Sequence, residues 1–169
     1  MHDKLTKQDI ILMEQELEER RTKTRPAIME EVKRTRAYGD LSENYEYKAA
    51  KEAQRKNDSR MRYLENMIKT ARIIPENQGG AGDGIKLYDR VTLWMPEDEE
   101  EMVIQVVSTV RTDPNRGLIS LESPLGRKVL GAHVGDTITV QVNEAYSYEA
   151  EIRAVELAQD DGSAPLLPY

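Results

Sequence analysis

The sequence predicts an α+β protein: an N-terminal antiparallel two-helix coiled coil followed by a small antiparallel sheet domain with one short helix. Three observations carry that prediction. Apolar residues recur at helical spacing through residues 7–74, the period changes to two beyond residue 85, and a Gly-rich stretch separates the two patterns. The boundaries that follow are a hairpin over 1–75, a linker over 76–84, a sheet domain over 85–158 and a loose tail over 159–169.

The first arm begins at Thr6, whose hydroxyl suits an N-cap. Ile10, Met13 and Leu17 then follow the spacing of one helical face, and Glu14–Arg25 is rich in good helix formers. Pro26 lacks the N–H of a continuous helix, so a kink or a fresh turn is expected there before Ile28 and Val32 resume the stripe. In the second arm Tyr47, Ala50, Gln54, Asn57, Met61, Leu64 and Ile68 alternate spacings of three and four, the seam of a coiled coil. Gln54 and Asn57 are polar at mid-seam, where such residues weaken packing and set register. Tyr38-Gly39-Asp40-Leu41-Ser42 is the turn between the arms. Arms of roughly 30 residues give a rod about 45 Å long at ~1.5 Å rise per residue.

Pro75 ends the second arm. Beyond the linker, segments 90–94, 101–110, 118–122, 137–142 and 148–157 alternate or are β-branched, and read as strands. Ser123-Pro124 supplies the N-cap and first position of a short helix closed by Gly131, and Val134-Gly135-Asp136 is a turn. The acidic run Glu97–Glu101 reads as a solvated hairpin turn, Trp94 as a core residue, and His133 as a turn residue with no metal role.

Composition excludes several classes of chemistry. The chain of 169 residues has no cysteine, which removes disulfides, cysteine-ligated metals and thiol nucleophiles. Its two histidines, His2 and His133, leave little for a histidine metal site or a Ser–His–Asp triad. No apolar run approaches the ~18 residues of a membrane span, so a cytoplasmic protein without a membrane partner is expected. Net charge is −7, but residues 1–75 hold 17 Lys+Arg against 14 Asp+Glu while residues 76–169 hold 7 against 17. The asymmetry points to the first half as the one that meets an anionic partner.

The turn at the end of the rod is where chemistry is expected. Asp40 and Glu43 are three apart, and two carboxylates so spaced can share a hard cation such as Mg²⁺. The same pair also resembles a helix-capping box, with Ser42 as a rival cap, and on residues alone both readings stand. Lys33, Arg34, Arg36, Lys48, Lys51, Arg55 and Lys56 flank the turn. Residues equidistant from it lie side by side in antiparallel arms, so Arg36 and Lys51 are candidates for one basic patch that touches phosphates.

The run Gly39-Asp40-Leu41-Ser42-Glu43-Asn44-Tyr45-Glu46-Tyr47, continued by Ala49-Ala50-Lys51-Glu52, resembles the Gre family of bacterial transcript-cleavage factors. Ile119-Ser120-Leu121-Glu122-Ser123-Pro124-Leu125-Gly126-Arg127 is a second point of resemblance, and together they span about residues 5–157. The resemblance implies an FKBP-like fold for the second domain, which docks on bacterial RNA polymerase while the coiled coil enters the secondary channel. It implies a monomeric accessory factor, not an enzyme by itself, that activates cleavage of backtracked nascent RNA by the polymerase. Carried over, Asp40 and Glu43 are the acids that help hold a Mg²⁺ shared with the polymerase, and Ser42 is an accessory tip residue. Arg36 and Lys51 face the RNA 3′ end, and Ser123, Pro124, Leu125 and Gly126 belong to the docking domain. Tyr38, Tyr45, the segment 108–116 and the tail 159–169 depart from the family pattern. Two alternatives accompany this reading: a channel-binding regulator that does not promote cleavage, and a prolyl isomerase or peptide-binding chaperone that needs an aromatic-lined pocket.

Overall fold

The computed structural model describes residues 3–39, 44–75 and 84–168 of the chain. Two compact units emerge, one formed mainly by residues 10–71 and the other by residues 4–9 together with 72–168.

The first unit is the helical hairpin. Helix α1 (Lys7–Glu19) passes through a π-helical turn at Arg20–Thr24 into α2 (Arg25–Arg36), and α3 (Tyr45–Thr70) returns against α2. The expected disturbance at Pro26 is therefore a widened turn just ahead of it. Proline cannot bond the carbonyl four residues back and its ring crowds that carbonyl, and a π-turn gives the ring room. With 26 residues, α3 is ~39 Å long at 1.5 Å per residue. Along it Ala50, Asn57, Met61 and Leu64 are buried, as the seam predicts. Each polar seam residue has a partner on the other arm: Gln54 Nε2 meets Met29 Sδ at 3.3 Å, and Asn57 Oδ1 accepts from Arg20 Nη1 at 3.0 Å. Buried Arg60 is the residue that periodicity does not announce. Its guanidinium grips Glu16 with two hydrogen bonds of 2.8 and 2.9 Å, and Arg20 Nε adds a third at 2.8 Å.

The second unit opens with a two-stranded parallel pairing of β1 (Lys4–Leu5) and β2 (Arg72–Ile73), too short to be signalled by alternation. The main sheet has the order β5-β4-β3-β7-β6, formed by β3 (Arg90–Met95), β4 (Glu100–Val107), β5 (Leu118–Ser120), β6 (Thr137–Gln141) and β7 (Ser147–Glu156). Helix α4 (Pro124–Val129) is the short helix. The sheet is mixed, because edge strand β5 runs parallel to β4 while the other pairs are antiparallel. Two 3₁₀ turns, Thr109–Arg111 and Pro114–Arg116, carry the chain back to the start of β4's neighbour, which is why β4 stops at Val107. Val91, Leu93, Ile104, Val106, Ile138, Val140, Ala150 and Ile152 alternate onto one face and form the core with Val129 of α4.

Trp94 faces the other way from Leu93 and is half-buried, not a core residue as the sequence suggested. A bulge opposite Thr92/Leu93 leaves Arg153 unpaired in the ladder, and its guanidinium lies 4.2 Å from the Trp94 ring centroid and 3.4 Å from Glu101. The acidic run forms the β3–β4 turn at Pro96–Glu99, as expected, with Glu100 and Glu101 already in the strand. The tail, expected to be loose, is instead bonded to its own unit: Asp160 and the Ala164 carbonyl both receive bonds from Arg111, and Ala164 is buried.

Candidate functional site

The end of the hairpin is built from backbone first. Helix α2 closes with Tyr38 N–H on the Thr35 carbonyl at 3.2 Å, and Gly39 follows at φ +92°, a conformation glycine adopts without Cβ strain. Asn44 then starts α3: its Oδ1 accepts from Tyr47 N–H at 3.0 Å. Its Nδ2 donates to the Thr35 carbonyl at 2.7 Å, so one amide side chain caps α3 and ties it to α2. Thr35 is fully buried, with its hydroxyl donating to the Glu31 carbonyl at 2.9 Å. The cap role that the sequence offered to Asp40 or Ser42 thus belongs to Asn44. Asp40, Leu41, Ser42 and Glu43 lie outside the described residues. An Asn three residues before a helical Tyr was the available signal for the cap, obscured by the more conspicuous Ser and Asp near it.

Around this end the side chains are cationic and aromatic. Tyr38 and Tyr45 are 57% and 80% exposed, unusual values for large rings. Each has a cation over its face: Arg34 lies 5.7 Å from the Tyr38 centroid and Lys48 lies 5.7 Å from that of Tyr45. Arg34 also donates to the Tyr38 hydroxyl and to both Glu31 oxygens, and those hydrogen bonds hold the Glu31 carboxyl below its usual range. Arg36 is exposed, and its carbonyl accepts from Gly39 N–H at 3.4 Å. Lys51 is half-buried and donates to Gln54 Oε1 at 3.0 Å. Arg36 and Lys51 are not level: Thr35 sits opposite Asn44, and Lys51 is seven residues further along α3, ~10 Å at helical rise. They mark two heights on the hairpin.

On the sheet unit, the predicted docking residues are used largely for structure. Ser123 Oγ accepts from Gly126 N–H at 3.0 Å and donates to the Ser120 carbonyl at 2.7 Å, the N-cap expected from sequence. A Cβ on Gly126 would stand 2.1 Å from the Ser120 oxygen, so the helix can approach β5 only with glycine there. Leu125 packs on the core, which leaves Pro124 as the exposed member of the four. A cavity of about 390 Å³ lies on another side of this unit, lined by Arg90, Gln105, Arg116, Gln159 and Ser163 with Tyr88 as its one ring. That polar lining does not match the aromatic-walled pocket a prolyl-peptide site needs. No group of three or more His, Cys, Asp or Glu side chains among the described residues is placed to hold a metal, and no helix is long and apolar enough to cross a membrane.

The features together define a class: a two-domain protein with a helical hairpin, whose two helix ends are tied together by Asn44 and flanked by cations, and a small mixed-sheet domain. Residues 4–73 match the family described as transcription elongation factor, N-terminal, and residues 80–157 match that described as transcription elongation factor, GreA/GreB, C-terminal. A transcription elongation factor GreA of Geobacillus kaustophilus is 42% identical over 137 residues, covering 81% of this chain and 86% of the relative. A GreA of Sinorhizobium medicae is 39% identical over 155 residues, covering 90% and 95%. Among solved structures, GreA factor homolog 1 of Thermus thermophilus matches with a TM-score of 0.42 and 26% identity over 92% of this chain and 99% of that one. The chain belongs to the GreA/GreB family of transcription elongation factors.

Proposed function

We propose that this chain binds bacterial RNA polymerase in the cytoplasm as a monomeric accessory factor and stimulates the polymerase to cleave backtracked nascent RNA. The observation that carries the reading is the family match across both domains, with Asp40, Leu41, Ser42 and Glu43 lying in sequence between α2 and the Asn44-capped start of α3.

Asp40 and Glu43 offer hard oxygen donors of the kind Mg²⁺ takes, and would hold the ion as part of a shell completed by the polymerase and the RNA. Such an ion stabilises charge in phosphoryl transfer and lowers the pKa of bound water. The rest is work for this chain's own side chains. Arg36, exposed at the end of α2, would meet a phosphate near the RNA 3′ end. Lys51, further back, would contribute positive potential more than contact. On the sheet domain the region around Ser123, Pro124, Leu125 and Gly126 would dock on the polymerase, with Ser123 and Gly126 shaping the helix start and Pro124 exposed to touch.

The test is RNA cleavage in a purified backtracked elongation complex with Mg²⁺, using wild type, Asp40→Ala and Glu43→Ala. Wild type is expected to release 3′ fragments, and each variant to lose at least tenfold in rate while still binding the polymerase. Binding by wild type without cleavage would replace this reading with the channel-occupying regulator, which intact Asp40 and Glu43 argue against and the departures at Tyr38 and Tyr45 keep open. Clear acceleration of prolyl isomerisation would revive the peptide-binding alternative.

A further inference from the structure

Two stretches that depart from the family pattern meet in the folded chain. One is segment 108–116, which carries Arg111; the other is the tail, which begins where the family match ends at residue 157. Arg111 is fully buried. Its Nη1 and Nη2 each donate to Asp160 at 2.8 Å, a two-pronged grip on one carboxylate. Nη1 also donates to Asp9 Oδ1 at 3.0 Å, and Nε to the Ala164 carbonyl at 2.6 Å. The Tyr88 ring lies 5.6 Å from the guanidinium carbon, and Tyr88 holds φ +69°, a conformation rare for an aromatic residue that persists only where its surroundings enforce it.

Asp9 does two things at once. Its Oδ2 accepts from Thr6 N–H at 2.8 Å while its own N–H donates to Thr6 Oγ1 at 3.1 Å, a reciprocal cap on α1. Its other oxygen goes to Arg111. Thr6 Oγ1 in turn reaches Asp160 Oδ2 at 3.3 Å, and Leu167 N–H donates to the Val110 carbonyl at 2.7 Å. The tail is thus bonded at three points to the first turn of α1 and to the 3₁₀ turn that follows β4. Three of the four side-chain hydrogen bonds of Arg111 end on the tail. Without it, a buried cation would keep one carboxylate and lose the other together with the Ala164 carbonyl, which strongly favours the closed arrangement.

We propose that residues 158–168 are an intramolecular strap that fastens the first turn of α1 to the sheet domain, with Arg111 as the positioning residue at its buckle. Residues 4–9 belong to the same compact unit as the tail, so the strap closes that unit around the N-terminal start of α1. The inference stands apart from the cleavage reading, since it concerns how residues 4–9 are held and not what Asp40 and Glu43 do.

Hydrogen–deuterium exchange of the full chain tests it, comparing wild type, Asp160→Asn and a chain ending at Leu157. Exchange in residues 6–12 is expected to rise at least tenfold in both variants while residues 90–95 and 148–156 keep their protection. A synthetic peptide spanning residues 158–169, added in trans to the shortened chain, is expected to restore protection, and the same peptide with Asp160→Asn is not. If the shortened chain does not fold, Asp160→Asn decides alone, being a change of one atom in size and shape. Unchanged exchange in residues 6–12 would overturn the strap. So would an equal rise across the whole sheet, which would make Arg111 a support of the core in general.

Discussion

Each of the two units is held by an arginine–carboxylate cluster, and the two clusters sit at opposite ends of a scale of wetness. In the hairpin, Glu16 receives Arg60 and Arg20 with side-chain exposures of 24%, 6% and 30%. In the sheet unit, Arg111 and Asp9 are fully buried and Asp160 is 11% exposed. Charges that keep some water are cheap to separate, because solvent replaces the lost partner. Charges sealed from water are not, because whatever is removed leaves its partner stranded. The lesson is that similar hydrogen-bond lengths, all between 2.6 and 3.0 Å, stand for different energies.

Breaking the dry cluster is expected to do the most. Arg111→Met, which keeps length and removes charge, should cost about 3–5 kcal/mol by leaving Asp9 and Asp160 facing each other. Urea denaturation of the variant checks it, and a loss under ~1 kcal/mol would erase the contrast between the clusters. Raising salt should leave the wild-type contribution nearly unchanged, since buried pairs are poorly screened.

The wet cluster gives a smaller, pH-dependent effect. Burial works to raise the Glu16 carboxyl, but the hydrogen bonds from Arg60 and Arg20 outweigh it and hold the group below its ordinary value. A carboxyl lowered on folding stabilises above its unfolded pKa and loses that contribution as pH falls through the folded one. Glu16→Gln is therefore expected to cost roughly 1–2 kcal/mol at neutral pH, and to converge with wild type as pH drops below the ordinary carboxylate range. Melting curves from neutral pH to about 3 would show it; parallel curves would mean the pair contributes nothing through its charge. At the alkaline end the sign reverses. Burial pushes the Tyr88 phenol well above its usual value, so its contribution is present at neutral pH and fades as pH climbs past the normal phenol range.

The smallest effect belongs to the hairpin end. Asn44→Ala removes an N-cap and the bond to the Thr35 carbonyl, for about 1 kcal/mol. If the amide matters chiefly as a tie between the arms, Asn44→Asp should recover the cap but not the tie, and exchange at Thr35–Gly39 would separate them.

Much of this was legible in the chain, and the parts that were not share a cause. Thr6, Ser123-Pro124 and the seam through Leu64 announce themselves within a few residues, since caps and periodicity are local. The five main strands were visible for the same reason. Arg111 with Asp9 and Asp160 was not, because nothing local distinguishes an arginine that will be buried by segments 102 and 49 residues away. Arg60 on the seam was hidden likewise: its partner, Glu16, lies 44 residues off and reads by itself as surface charge. Asn44 was hidden by company, among Asp, Ser and Glu that make equally good caps on paper. The pairing of Arg36 with Lys51 assumed a level ladder of residues, whereas Asn44 sets where the second arm begins.

The tie at Asn44 also has a meaning for how such a protein diversifies. One amide closes the ends of α2 and α3 from outside the Asp40–Glu43 segment, using the Thr35 carbonyl and the Tyr47 amide as fixed posts. Whatever four residues stand between Gly39 and Asn44 inherit those posts without having to create them. The tie is made by residues outside positions 40–43, so substitutions at those positions are expected to leave the Asn44–Thr35 bond in place.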